Sequence, residues 1–308
     1  MPLRIVFMGS PEFAVPTLRV LIDAFDVAAV VCQPDKPAGR GQKLVAPATK
    51  LIALERGVPV LQPPKARDPA FLEELRRLAP DVAVVVAYGK ILPQAVLDVP
   101  RHGCLNVHAS LLPRYRGAAP IQWAIIRGET ETGVTIMQLD AGMDTGPMLL
   151  TQKVGIADDE TAGTLAPRLS AIGAEMMLVA LGRLEAGALV PTKQDDAQAT
   201  LAPMLAKDAG KIDWTRCARE VRNLVRGVDP WPGGQTVLAG EPLKVWGARA
   251  APGQGAPGEV LAADREGLVV ACADGAVALE ELQLPGRKRL PVPAFVAGKP
   301  IATGTRLG

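Results

Sequence analysis

The run Val82-Ala83-Val84-Val85-Val86-Ala87 is apolar at every position. Side chains of a strand alternate between its two faces, so such a run must be covered on both sides. A parallel sheet with helices on each face supplies that cover. Leu3–Met8 and Val27–Cys32 are further apolar runs rich in β-formers, and a helical pattern carrying Phe13, Leu18, Leu21 and Ile22 separates them. Ser10-Pro11 reads as the N-cap and first turn of that helix. Cys104–His108 and Val134–Leu139 read as two more strands, with a helix over Ala118–Arg127 between them. The expected fold class is therefore α/β, an N-terminal Rossmann-like open sheet, rich in parallel pairs, with helices on both faces. Ligands of such sheets bind beyond the carboxyl ends of the strands. Residues following Val82–Ala87, Cys104–His108 and Val134–Leu139 are the places to search for chemistry.

The second half follows a different pattern. A helix is predicted over Thr161–Glu185 from Leu165, Leu169, Ile172, Met176, Val179 and Leu184, whereas Ala188–Gly210 lacks periodicity and suits a linker. A helix over Asp213–Arg226 precedes short strands at Val237, Leu243–Trp246, Val260–Leu261, Leu268–Cys272 and Val277–Leu284. Short strands at close spacing suggest a small β-barrel or sandwich, and the expectation is a C-terminal OB-like β-barrel. The 308 residues thus divide into a catalytic domain (1–189), a linker (190–207) and a barrel domain (208–308). Four scattered cysteines and two histidines offer no metal-ligand spacing, so no metal is expected and the cysteines read as buried thiols. The apolar runs fall short of a membrane span, and the opening residues read as a strand rather than a signal segment, so a soluble cytoplasmic protein without a membrane partner is expected. A net charge of +2 neither announces nor excludes nucleic acid.

Nucleotide motifs are absent. None of Gly89-Lys90, Gly210-Lys211 or Gly298-Lys299 is followed by Ser or Thr, and the turn after the first strand carries one glycine where a dinucleotide site needs three. The strongest local signal is Asn106-Val107-His108-Ala109-Ser110-Leu111-Leu112-Pro113. Residues two apart on a strand share a face, so Asn106 and His108 project together at a strand's carboxyl end. A strand-end histidine is as readily a hydrogen-bonded structural residue as a catalytic one. The second signal is Asp140-Ala141-Gly142-Met143-Asp144-Thr145-Gly146-Pro147, a tight loop able either to cap itself or to aim a carboxylate at His108. Ser110 lacks the elbow of a hydrolase nucleophile. An amide, an imidazole and a carboxylate suit attack of an amine on a carbonyl carbon, with Asn106 and His108 donating to the oxyanion and His108 moving the proton.

The stretch from Asn106 to Ile121 resembles the signature of folate-dependent formyltransferases, and Asp140–Gly146 resembles that family's aspartate loop. Phe7–Ala14, Gln33–Gly41 and Asp229–Pro232 extend the likeness across both halves, and it is nearest to the family members that act on tRNA. The resemblance implies 10-formyltetrahydrofolate as formyl donor and the α-amino group of methionyl initiator tRNA as acceptor, joined through a tetrahedral intermediate. It carries over Asn106, His108 and Asp144 as the catalytic set, with Asp144 tuning the histidine, and Ser110, Leu111, Leu112 and Pro113 as part of the folate site. A monomer is expected. The family also formylates small amines such as amino sugars, and the same three residues would serve there. A non-catalytic tRNA-binding module is the reading from a different class.

A tRNA partner has to be sought in local charge. The long connection Gln33–Lys50 holds Lys36, Arg40, Lys43 and Lys50 against Asp35 alone, with glycines beside Arg40. The resembled tRNA enzymes carry there a loop that enters the acceptor arm, which makes Arg40, Lys43 and Lys36 the expected contacts. Arg219, Arg222 and Arg226 have helical spacing and read as one basic stripe, and Arg287-Lys288-Arg289 as a further cluster.

Overall fold

The structure, a computed structural model, describes residues 2–38, 43–264 and 267–308. They fall into two compact units: Met1–Ala118 with Gly133–Val154 and Ala166–Pro203, and Ala119–Thr132 with Gly155–Leu165 and Met204–Gly308.

The elements of the first half are β1 (Arg4–Gly9), α1 (Val15–Ala24), β2 (Asp26–Val31), β3 (Lys36–Ala38), β4 (Lys43–Val45), α2 (Ala48–Glu55), β5 (Val60–Leu61), α3 (Pro69–Leu78), β6 (Val82–Val86), α4 (Gln94–Leu97), β7 (Cys104–His108), α5 (Pro120–Ile126), β8 (Glu131–Gln138), β9 (Met148–Gly155) and α6 (Ala162–Glu185). Seven strands form one sheet in the order β5-β2-β1-β6-β7-β8-β9. The β2–β5, β1–β2, β1–β6 and β6–β7 pairs are parallel, as the Rossmann-like expectation requires. All five residues of β6 are buried. Local signals explain the helices. In α3, the Asp68 carboxylate accepts from the Ala70 N–H, Pro69 occupies the first turn, Arg76 and Arg77 sit in the last, and Ala79 takes the left-handed conformation that ends it.

Three local expectations differ from what is found. β8 runs antiparallel to β7, pairing His108 with Thr135 and Leu105 with Gln138. The connection 109–130 is largely irregular and holds one seven-residue helix, only about 10 Å long. The chain therefore re-enters the sheet at the end where β7 left it, and the carboxyl end of β8 lies away from His108. Ser10 does not cap α1. Its Oγ accepts from the Gln33 N–H at 2.9 Å and ties the turn after β1 to the end of β2. The connection Gln33–Lys50 is also not simply a loop, because β3 and β4 pair as an antiparallel hairpin of their own.

α6 is long and apolar enough to cross a membrane by length and composition alone. Half of its most apolar stretch is buried inside the protein, and Arg168, Glu175 and Arg183 lie on its exposed side, the pattern of a core helix. At Gly173 it packs closely on the sheet. A Cβ there would lie 2.5 Å from Val107 Cγ1, on the face of β7 opposite Asn106 and His108.

The second half contains α7 (Ala218–Gly227), β10 (Gly234–Leu238), β11 (Glu241–Ala251), β12 (Val260–Ala263), β13 (Leu268–Cys272), β14 (Gly275–Gln283), β15 (Leu290–Pro291) and α8 (Val292–Gly298). Antiparallel strands follow the order β10-β11-β14-β13-β12, with β15 beside β14. Residues 305–308 join the two edges: Leu307 bridges Leu238 while its N–H donates to Gly258 O, and Arg306 bridges Glu259. The open path is thereby closed into a small barrel, whose core includes Trp214, Val225, Val245, Leu268, Val270, Val277, Leu279 and Phe295. α7 begins five residues later than its apolar pattern suggests. Asp213 Oδ1 accepts from the Thr215 N–H and hydroxyl, and the helix starts instead at the capping box of Cys217 and Glu220.

All four cysteines are free, and three are buried. Burial pushes the Cys32 and Cys272 thiols up to about 11 and that of Cys104 up to about 12. At pH 8 these three remain protonated and shielded, so an alkylating reagent should label Cys217 in the native protein and all four thiols after denaturation. Mass spectrometry before and after guanidinium reads the difference. Gly173→Val should lower stability by about 1–3 kcal/mol, because the stiff Val107 side chain cannot yield the space. A thermal melt unchanged from the parent would contradict the close packing of α6 on β7.

Candidate active site

β7 is buried along its whole length, and its alternation places Cys104, Asn106 and His108 on one face. Asn106 and His108 are separated by about 6.6 Å of strand. The imidazole is 5% exposed. Its Nε2 lies 2.9 Å from the carbonyl oxygen of Tyr115 and its Nδ1 3.6 Å from Asp144 Oδ2. A carbonyl can only accept, so Nε2 carries a proton. Nδ1 faces the carboxylate from just beyond hydrogen-bond distance and is the nitrogen left to gain or lose a proton. Asp144 Oδ2 also accepts from the Gly117 N–H at 2.8 Å. The two loops, 109–117 and 140–147, therefore meet at the imidazole.

Both partners of His108 stand on left-handed backbone, Tyr115 at φ 62° and Asp144 at φ 55°. Asp tolerates this region, whereas for a bulky residue such as Tyr it is an outlier costing on the order of 1–3 kcal/mol. Two glycines allow the crowding. A Cβ on Gly117 would lie 2.6 Å from Ala202 O, and one on Gly146 would lie 1.9 Å from Gln138 O. Asp140 turns out to be the aspartate that caps its own loop, accepting from the Gly142 N–H and the Thr145 hydroxyl.

The Asn106 side chain is buried and makes no hydrogen bond to any described residue. Its amide N–H groups are thus available to a bound carbonyl oxygen. Ser110 is fully buried and its hydroxyl donates to Arg114 O at 2.7 Å, so it staples the turn and is not poised as a nucleophile. Thr135 of β8 adds a second staple, donating to Ser110 O at 2.7 Å and accepting from the Leu112 N–H. Leu112 is buried, Leu111 and Pro113 are half-buried, and Leu111 packs where Gly133 leaves room for it. Nothing in the sequence pattern singled out Tyr115 or Thr135. One acts through its main-chain carbonyl, and the other lies across a strand pair whose antiparallel direction was not expected.

The basic residues separate into two groups. Lys36 is exposed at the start of the β3–β4 hairpin. Arg40 and the Lys43 side chain lie outside the described residues. Lys50 is engaged by Asp35, at 2.8 Å to each carboxylate oxygen, and by Gln62, so it fastens the base of the hairpin. Hydrogen bonds from Gln62 and then Lys50 hold the Asp35 carboxyl below its usual range. Of the expected stripe on α7, Arg219 is exposed and the other two arginines are spent internally. Arg222 forks onto Asp158, and the buried Arg226 donates to Glu160 O and Asn223 Oδ1. Arg289 is held by Glu281 and Asp229 and stacks 4.8 Å from the Trp246 ring. In the second unit a groove of about 680 Å³ is lined by Lys207, Lys211, Lys244 and Trp231, among others. Trp231 is 52% exposed, whereas Trp214 is buried with its indole N–H on Thr236 Oγ1.

Comparison with known proteins matches two family models, formyl transferase over residues 3–181 and formyl transferase C-terminal domain over residues 204–300. The methionyl-tRNA formyltransferase of Geobacter sulfurreducens is 56% identical over 99% of this chain and 97% of its own length. That of Myxococcus xanthus is 51% identical over 98% of this chain and 97% of its own. Among solved structures, the N-formyltransferase from Helicobacter canadensis, in complex with folinic acid and dTDP-3-aminofucose, superposes with a TM-score of 0.69 at 18% identity, covering 91% of this chain and 98% of that one. HypX from Aquifex aeolicus in complex with tetrahydrofolic acid gives 0.66 at 20% identity over 98% of this chain and 48% of its own, a likeness of fold. On the identity of its full-length relatives and the two matched domains, the chain belongs to the formyltransferase family, among the methionyl-tRNA formyltransferases.

Proposed function

We propose that this protein transfers the formyl group of 10-formyltetrahydrofolate to the α-amino group of methionyl initiator tRNA, as a cytoplasmic monomer serving translation initiation. The observation that carries the chemistry is a buried Asn106 amide, unpartnered among the described residues, on the same strand face as an imidazole held at Nε2 with Nδ1 facing a carboxylate. The bound donor supplies an electrophilic formyl carbon on nitrogen. Asn106 donates its amide N–H to the formyl oxygen as negative charge develops there. His108 Nδ1 takes the proton that the attacking amine sheds and returns it to the departing folate nitrogen. Asp144 stabilises the imidazolium between those two events. Tyr115 O holds the ring so that Nδ1, not Nε2, does this work. Ser110, Leu111, Leu112 and Pro113 form part of the folate site, with the Ser110 hydroxyl shaping the loop rather than reacting.

The acceptor rests on different support, namely the names of the full-length relatives and the placement of exposed charge. Lys36, Arg40 and Lys43 of the connection Gln33–Lys50 contact the acceptor stem, and the groove with Lys207, Lys211 and Trp231 holds more of the tRNA. The proposed division of labour keeps formyl transfer and the acceptor-stem contacts in residues 1–189 and a further tRNA-binding surface in 208–308, joined by 190–207.

Purified protein should formylate Met-tRNA from 10-formyltetrahydrofolate. Asn106→Ala and His108→Ala should each lower kcat by about 10²–10³-fold with an unchanged circular dichroism spectrum. Near-parental kcat in either variant removes that residue from the mechanism. Lys36→Ala, Arg40→Ala and Lys43→Ala should raise KM for tRNA and flatten its salt dependence while leaving kcat intact. If small amino sugars compete with Met-tRNA at equal donor supply and the arm variants behave as the parent, the acceptor is a small amine instead.

A further inference from the structure

The segment 192–202 starts at a single bridge between Thr192 and Met148 of β9, then leaves the sheet edge and holds both loops that meet at His108. Gln194 is 4% exposed. Its Oε1 accepts two bonds from Arg116, from Nε at 3.0 Å and Nη2 at 2.8 Å. A guanidinium can only donate, so the orientation of the Gln194 amide is fixed and its NH2 points the other way. That NH2 donates to Asp144 O at 2.8 Å and to Gly146 O at 2.7 Å. Every polar atom of the side chain is therefore used, and the two acceptors flank the left-handed turn that delivers the Asp144 carboxylate.

The same segment grips the other loop. The Tyr115 N–H donates to Thr200 Oγ1 and the Arg116 N–H to Thr200 O, while the Ala202 N–H donates to Arg116 O. Arg116 itself is buried, with Asp196 as its ionic partner at 2.7 Å. One strap thus fixes Tyr115, whose carbonyl holds Nε2, and Asp144, whose carboxylate faces Nδ1. The left-handed Tyr115 needs those external bonds, since such a residue costs on the order of 1–3 kcal/mol.

We infer that Gln194 and Arg116 are positioning residues for formyl transfer, setting the tautomer and orientation of His108 through the loops of Asp144 and Tyr115. This rests on the proposed catalytic role of His108, but the positioning can be read without activity. The chain has only two histidines, His102 and His108, and His102 is exposed and serves as an internal reference. In 15N NMR of the imidazoles, the parent should show His108 as a fixed Nε2–H form. In Gln194→Ala that signature should collapse toward exchange between tautomers, with His102 unchanged. Gln194→Glu keeps the volume and the bond from Arg116 but loses both donations to the Asp144 loop, so it should fold as the parent does and show the same collapse. Both variants should lose about 10–100-fold in kcat with little change in KM, the mark of misplaced reacting groups.

An unaltered His108 signature in both variants overturns the inference, and so does parental kcat despite a disturbed signature. If the parent itself formylates no tRNA while the signature still depends on Gln194, the proposed function falls and the positioning role stands.

Discussion

A buried imidazole must find partners for two nitrogens, and in this protein each partner comes from a different loop. That requirement explains much of the surrounding architecture. The antiparallel return of β8 keeps the connection 109–130 at the carboxyl end of β7, where Tyr115 can reach Nε2. The aspartate loop leaves β8 at the other end and comes back far enough for Asp144 to approach Nδ1. Asn106, on the same strand face, is left without a protein partner. One strand face thus carries an imidazole bonded through Nε2, with Nδ1 facing a carboxylate, beside an amide without a partner among the described residues, and that pairing marks the candidate site.

Local pattern reaches the strands that carry the site. β6 and β7 are found within a residue of their expected bounds, and in β6 continuous burial leaves an unmistakable apolar run that five residues suffice to show. The shared face of Asn106 and His108 follows from the strand period alone. What local pattern cannot reach is strand direction, which depends on where the connection ends rather than on what the strand contains. β9 is largely unburied, and with that exposure it lacks the alternation by which a strand is recognised. The β3–β4 hairpin is too short for a period to register. Tyr115 and Thr200 contribute through a main-chain carbonyl, or through a partner 85 residues away in sequence, and neither leaves a side-chain motif.

Charge was the least transparent signal, and the reason is geometric. Helical spacing places Arg219, Arg222 and Arg226 on one face but says nothing of what that face meets. Arg226 meets the carbonyls of Ala157 and Glu160, and burial holds its guanidinium below the usual arginine range. Arg222 meets Asp158, whose carboxyl is held low by that guanidinium. Lys50, Arg222 and Arg226 therefore organise the fold. Lys36, Lys207 and Lys211 lie exposed, and the functional share of the charge has to be judged from them.

The strained backbone at Tyr115, together with the left-handed turn at Asp144, gives the strap 192–202 its significance. A residue in the left-handed region relaxes unless its neighbours over-determine it. Hydrogen bonds from Gln194 to the Asp144 turn, and between Thr200 and the Tyr115–Arg116 backbone, are what over-determine these two. Because Arg116 reaches from the Tyr115 loop to Gln194, and Gln194 reaches the Asp144 loop, a displacement of either loop must disturb the other. The two nitrogens of His108 are consequently set together. The ring keeps its Nε2 on Tyr115 O and its Nδ1 beside Asp144 only while both loops hold together.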